Sequence, residues 1–308
     1  MILAVIVLSV AAPRFHSGAN VAVLLQDLAL TLPIGLAQMS TLAVGELNLS
    51  VGALGGLMAV ATGWLLEVVG ASVAVAVPIV FLLGLLAGLV NGLIIAATRI
   101  NGFIVTLATS AAFTGISFGV TKSIPFYRLP HAFTMIGEPT IGPLSYGLLI
   151  TLLASVVLAI FFRRTVLGRQ MLAVGGNRNA AVLSGTSPSK AVIAAHALSG
   201  LLVAVAAVIA VAQTGSAQPS LGSTWVLQSF AAPIIGGTTL TGGYVSVFGT
   251  GVASAIIVLI DDALILLNVS PYWVQLLLGI VILAAVGTAR LRAVSGSSTL
   301  RGRDSVRG

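Results

Sequence analysis

Charged residues are so sparse along this chain that they punctuate long apolar runs. Arg14 closes the first run, and a second lies between Asp27 and Glu46. A third extends from Leu47 to Leu66, and Glu67 and Arg99 then bracket 31 uncharged residues, one crossing plus a turn. Further apolar runs cover residues 103–120, 144–162, 191–212, 226–241, 244–260 and 272–289. A helix rises 1.5 Å per residue, so about 20 apolar residues cross the hydrocarbon core of a bilayer. None of the runs shows the alternation of a membrane β-strand, about 10 residues long. The pattern predicts an all-α, polytopic helical membrane protein with about ten helices.

The polar interruptions give topology. Residues 121–143 are rich in Pro and Gly and read as an extramembrane loop. The segment 163–190 carries Arg163, Arg164, Arg169, Arg178 and Lys190 with no acid, and the tail from Arg290 onward is Arg-rich. Positive charge accumulates on the cytoplasmic side, so Arg99, the 163–190 loop and the C-terminus are expected inside and the 121–143 loop outside. Residues 1–292 then form a single transmembrane domain with a cytoplasmic loop at 163–190. Residues 293–308 read as a basic, disordered cytoplasmic tail.

Composition agrees. Of 308 residues, 58% are hydrophobic and only 7% charged, where a soluble domain carries roughly a quarter; mean hydropathy is +1.14. The net charge of +7 is concentrated in the loop and the tail, which marks orientation and not a nucleic-acid surface. There are no cysteines, and His16, His131 and His196 lack metal-ligand spacing, so no metal site is expected. The opening "MILAVIVLSVAAPRF" lacks a basic leader, so it reads as a first helix and not a cleaved signal. Too few residues precede Pro13 for a full span, which makes that helix a shortened one. Phosphate-loop and HExxH patterns are missing, so no catalytic residue is expected. A pump built on this chain takes its energy from a partner.

Several residues stand out against this background. Gly84, Gly88, Gly92 and Ala96 recur every fourth position, a small-residue ridge on which another helix can pack closely, in this chain or in a second copy. Asn91 sits beside it. "GELNLSVGALGG" (45–56) and "GGTTLTGGYVSVFG" (236–249) are Gly-rich breaks in equivalent positions, which suggests two parallel internal repeats. Glu46, Asn48 and Ser50 in the first, and Gly236, Gly237, Gly242 and Gly243 in the second, are candidates for a translocation path, since irregular backbone at membrane depth needs a protein or aqueous lining. Glu46 reads equally well as a cytoplasmic-interface residue. Gln213, Gln218, Asp261 and Asp262 are expected at outer turns. Trp225, Tyr272 and Trp273 are expected at the lipid–water interface.

The segment "GRQMLAVGGNRNAAVLSG" (168–185) is polar and rich in small residues. Arg178, Ala180, Ala181 and Gly185 fit a short helix closed by a turn, with Asn177 as its cap. An ordinary basic loop is the plainer reading, and a docking knob the functional one.

That stretch, with "SGLLVAVAAVIAVAQTGSAQPSLGSTWVLQSFAAPIIGGTTLTGG", "GELNLSVGALGG" and "VNGLIIAATRINGFIVTLATSAAFTGI", resembles the permease subunits of bacterial ABC importers for ribose, xylose and related sugars. The resemblance runs from about Pro13 to Arg292. It implies a type II importer fold in the bacterial cytoplasmic (inner) membrane and, as partners, a second permease copy, an ABC ATPase subunit, an extracytoplasmic solute-binding protein and membrane lipid, with no nucleic acid. ATP and Mg would be bound by the ATPase partner, so no cofactor is expected here. Gly168, Arg169, Gly175, Gly176, Asn177, Ala180, Ala181 and Gly185 would belong to the ATPase-coupling segment. Asn48 stands where this family commonly has Asp, and related permeases carry nucleosides or branched-chain amino acids. The competing readings are an ion-coupled secondary transporter, disfavoured because only Glu46 is an acid within an expected span, and a membrane enzyme, disfavoured by the lack of any nucleophile–base pair.

Overall fold

The computed structural model describes residues 15–266 and the isolated helical positions 273, 276, 279, 280 and 283. The expected first helix before Pro13, Tyr272 and the tail at 293–308 lie outside the described residues, as does most of the expected 272–289 span. Among the described residues there are eleven helices, seven of them long and apolar enough to cross a membrane.

Helix α1 (Gly18–Leu42) starts at Ser17, whose hydroxyl accepts the Asn20 amide, and so includes Asp27 instead of following it. Helix α2 (Val51–Gly63) continues through a π-helical turn to Val68. Helix α3 (Val73–Thr98) and α4 (Gly102–Thr121) form a hairpin whose tight turn puts Arg99 at φ 59° and uses Asn101 as the α4 cap. Beyond α4 come the short α5 (His131–Thr134) and a small hairpin, β1 (Pro139–Ile141) with β2 (Leu144–Ser145); α5 and β1 lie in the expected extramembrane loop, and β2 takes the first two residues of the expected 144–162 span. Helix α6 (Tyr146–Arg164) leads into α7 (Val166–Gly176), α8 (Arg178–Leu183) and α9 (Pro188–Thr214). Pro188 opens α9 just behind its Ser187 cap, where a missing N–H costs nothing. Helix α10 (Trp225–Ile235) and α11 (Val247–Leu266) follow.

Burial sorts the helices by role. Helices α2 and α9 are central, and α9 is continuously buried from Leu202 to Ala212. Helices α3, α4 and α6 are peripheral: Leu82, Ile104, Leu107, Leu153 and Val156 point outward, as lipid-facing apolar residues do. Between α3, α6 and α9 lies a groove of about 300 Å³ whose lining, Phe81, Leu153, Leu202 and their neighbours, is entirely apolar. It offers a hydrophilic solute no hydrogen bond.

Three expectations are corrected. The apolar run 226–241 is not a span, because α10 ends after eleven residues at Ile235, beyond which Gly236 and Gly237 turn the chain. The helix of the 244–260 run does not stop before Asp261, because α11 continues to Leu266. Asp27 in α1 and Asp261 and Asp262 in α11 therefore lie within helices of membrane-spanning length, as does Glu67 near the end of the Val51–Val68 helix. Asp262 is buried and accepts Asn20 Nδ2 at 3.0 Å, and Asp27 is close enough to both Asp261 and Asp262 to interact electrostatically. Asp262 is buried and Asp27 and Asp261 are half-buried, surroundings that the sequence does not display.

Candidate coupling site and polar core

The three polar segments singled out in the sequence meet at one end of the bundle. The first break is confined to residues 43–50, since "GALGG" is already α2. Its Ala43 carbonyl accepts the amide of Gly243, from the second break, at 3.1 Å. Gly175, in the last turn of α7, fits against both: a Cβ there would run into the Ala43 carbonyl oxygen and the Gly243 nitrogen. Gly242 and Gly243 have φ of 89° and 84° and lie against Gly45, Gly175 and Gly176, so the approach requires residues without Cβ. Gly236 packs on Gly249 and Thr250, whereas Gly237 (φ 88°) has open space beside it. The helix before the first break has 25 residues and that before the second has 11, so the equivalence of the two breaks does not extend to their flanking helices.

The 163–190 segment is more ordered than a loop. Gly168 lets α7 fold back on Phe161 and Phe162. Arg169 donates to the Arg164 carbonyl. Asn177 caps α8 by accepting the Ala180 amide at 3.0 Å, and Gly185 closes the turn at φ 78°. Exposure then separates two faces of α8. Ala181 is 4% exposed and points into the protein, while Leu183 is 89% exposed beside Val182 and Ala180. A short, capped helix presenting an exposed leucine has the form of a docking knob. Sequence reasoning passed over Leu183, which with the neighbouring exposed Val182 forms an apolar tip on α8. Arg178 at the start of α8 faces Glu46 in the first break. Glu46 also accepts the Gly102 amide at 3.0 Å, placing a carboxylate at the positive end of α4. Burial pushes the Glu46 carboxyl above its ordinary value, and the Gly102 hydrogen bond and Arg178 act in the opposite direction.

From this end the first break leads inward to a closed polar core. Asn48 Oδ1 accepts both the Ser50 amide (2.9 Å) and the Ser50 hydroxyl (2.7 Å), and Asn48 Nδ2 donates to Ser199 Oγ of α9 at 3.0 Å. Asn91 Nδ2 of α3 donates to Ser50 Oγ at 2.9 Å. The Leu49 amide donates to Thr106 Oγ1 of α4. The Gln38 amide group, oriented to pair with the backbone of Asn48, completes the enclosure. All these side chains are buried. Asn48, Ser50 and Asn91, singled out separately in the sequence, are thus directly connected.

The glycine ridge of α3 is used within the chain: Gly84, Gly88 and Gly92 pack on Ala204, Gly200, His196 and Ile193 of α9. It is not open to a second copy. Small residues with free space lie instead on α4, where Ala111, Gly115 and Gly119 recur every fourth position on an exposed face. Trp225 is not interfacial; it is 3% exposed and rests where a Cβ on Gly55 would be. Trp273 is exposed. Gln213 is tied inward, donating to the Gln26 carbonyl at 2.8 Å.

A membrane bundle with inward-reaching breaks and a capped, knob-bearing helix at one end belongs to the class of transport permeases. The chain is a member of the family described as branched-chain amino acid transport system permease components, matched over residues 20–286. It is 32% identical to the ribose import permease protein of Bacillus subtilis (strain 168), over 92% of this chain and 88% of the relative. It is also 32% identical to the L-arabinose ABC transporter permease protein of Azospirillum brasilense, over 91% and 82%. Against the xylose transport system permease protein of Escherichia coli (strain K12) the identity is 28%, over 88% and 85%. No solved structure matches the chain.

Proposed function

We propose that this chain is the membrane-spanning subunit of an ATP-driven importer for a monosaccharide of the ribose, arabinose or xylose kind. The observation that carries the reading is the meeting of Gly175, Ala43 and Gly243, where the helix pair α7–α8 is seated directly on both Gly-rich breaks. In this reading an ABC ATPase subunit docks on the Leu183 face of α8 and hydrolyses ATP with Mg. Its movement reaches the breaks through contacts that have no side chain to absorb it. The basic-loop end faces the cytoplasm, as does the C-terminus. A solute-binding protein delivers the sugar to the opposite end. A second permease copy packs on the α4 face carrying Ala111, Gly115 and Gly119, where helices can approach closely. The sugar assignment is supported by the relatives, which are permeases for ribose, L-arabinose and xylose, and by a buried core built from amides and hydroxyls.

Reconstitution tests it. Proteoliposomes holding this chain with its ATPase subunit, supplied with the binding protein, should accumulate labelled ribose, arabinose or xylose only when ATP is present. Uptake driven by a proton or sodium gradient without ATP would favour the ion-coupled reading, for which the half-buried Asp27 and Asp261 and the buried Asp262 are the residues of interest.

A further inference from the structure

Helix α9 makes its most extensive contact with α3, and that contact is made backbone to backbone. A Cβ on Gly88 would meet the His196 carbonyl and Gly200 Cα, and one on Gly200 would meet Gly84 and Gly88. Within this glycine-lined seam lies His196, 0% exposed, with neither Nδ1 nor Nε2 hydrogen bonded to any described residue. Its Cβ is 3.3 Å from the position a Cβ on Gly92 would take, so the imidazole leaves α9 against α3. Asn91, the neighbour of Gly92, has an unpartnered Oδ1. Ser199, one turn along from His196 on the same face of α9, holds Asn48. Buried polar groups in proteins are nearly always paired, and one left unpaired destabilises the fold, so leucine at position 196 would be the more stable choice.

The placement and chemistry of these groups suggest a use. His196 and Ser199 lie 8 and 11 residues into α9, roughly 12–17 Å from its start, well inside a hydrocarbon core of about 30 Å. The five side chains Asn48, Ser50, Asn91, His196 and Ser199 supply both donors and acceptors, with no carboxylate, lysine or arginine among them. Such a set matches a neutral polyhydroxyl compound. It has no counter-charge for the ammonium and carboxylate of an amino acid.

We infer that the α3–α9 seam is a solute-binding site, closed in this conformation, where His196 and Asn91 hydrogen-bond the hydroxyls of a neutral sugar once the two helices part. This rests on the importer reading above and adds the residues that touch the cargo. Glycine-to-glycine packing suits such parting, because no interlocked side chains have to be withdrawn.

The test uses the assembled importer in proteoliposomes with labelled ribose, arabinose and xylose. His196→Leu should melt at or above the wild-type temperature and still bind the ATPase, yet lower uptake at least tenfold; His196→Gln, which keeps a donor and an acceptor, should recover part of it. A lower melting temperature with unchanged uptake per folded molecule would assign His196 to structure and overturn the inference. The chain has no cysteine, so Ser199→Cys gives a second readout independent of His196. A small thiol reagent should label it only during ATP turnover, and sugar should protect it. No labelling under turnover would also overturn the inference. If the wild-type assembly transports none of the three sugars, the importer reading falls with it; if wild type transports and His196→Leu matches it, only this inference falls.

Discussion

The Gly243 amide donates to the Ala43 carbonyl at 3.1 Å, directly joining two glycine-rich breaks from opposite ends of the sequence. Gly175 is pressed against both partners of that bond. Three segments that are far apart along the chain therefore share one contact, and a displacement of α7 has to be felt by both breaks.

That contact predicts a difference between adjacent glycines. Gly175→Val places methyl groups into two backbone atoms and should cost about 1–3 kcal/mol, as overpacking does. Gly176→Ala should be tolerated, since the nearest atom to its Cβ would be Gly243 Cα at 3.8 Å. Thermal unfolding of the purified variants in detergent measures both. Equal tolerance at the two positions would contradict the packing.

Glu46 predicts a pH dependence. Its carboxyl is raised above the ordinary 4.5, chiefly by burial. Between 4.5 and the raised value the folded chain holds more protons than the unfolded one, so this group's contribution to stability falls as pH rises through that window and levels off above it. Glu46→Gln retains a carbonyl oxygen for the Gly102 amide but cannot titrate. The stability of wild type minus that of Glu46→Gln should therefore decline with rising pH across the window. A difference that grows with pH would show that the Arg178 attraction outweighs burial.

The open small-residue face of α4 predicts where two copies meet. Among the described residues a Cβ on Gly119 has open space around it, so Gly119→Trp extends outward from α4. It should leave folding unchanged and separate the permease pair, read as a loss of the dimer band after crosslinking in the membrane. An unchanged dimer would place the second copy on another face.

Local chemistry was legible in the sequence and tertiary pairing was not. The Asn177 cap and the Gly185 turn of α8 depend on neighbouring residues, and both form where the sequence places them. The α3 ridge shows in the spacing of Gly84, Gly88 and Gly92, but its partner on α9 does not. The run 226–241 reads as a crossing because it carries no charge; Gly236 and Gly237 end it, and hydropathy gives them little weight. Trp225 reads as interfacial until Gly55, far earlier in the chain, provides the slot that buries it. Asp262 reads as a turn residue because its partner Asn20 is 242 positions away. His196 looks like a scattered histidine, and only packing shows that its ring is enclosed without a hydrogen bond.

The central claim, that α8 couples this chain to an ATPase, is tested most directly by co-purification. Leu183 is on the surface, so Leu183→Asp should change stability by no more than about 0.5 kcal/mol. Ala181→Glu is the poorer probe, because it would bury a charge inside the chain. With a tag on the ATPase subunit, wild type should be retained in detergent and Leu183→Asp released, with both chains melting alike. Retention of Leu183→Asp at the wild-type level, or failure of the wild-type chain to associate with any ATPase, would contradict the account.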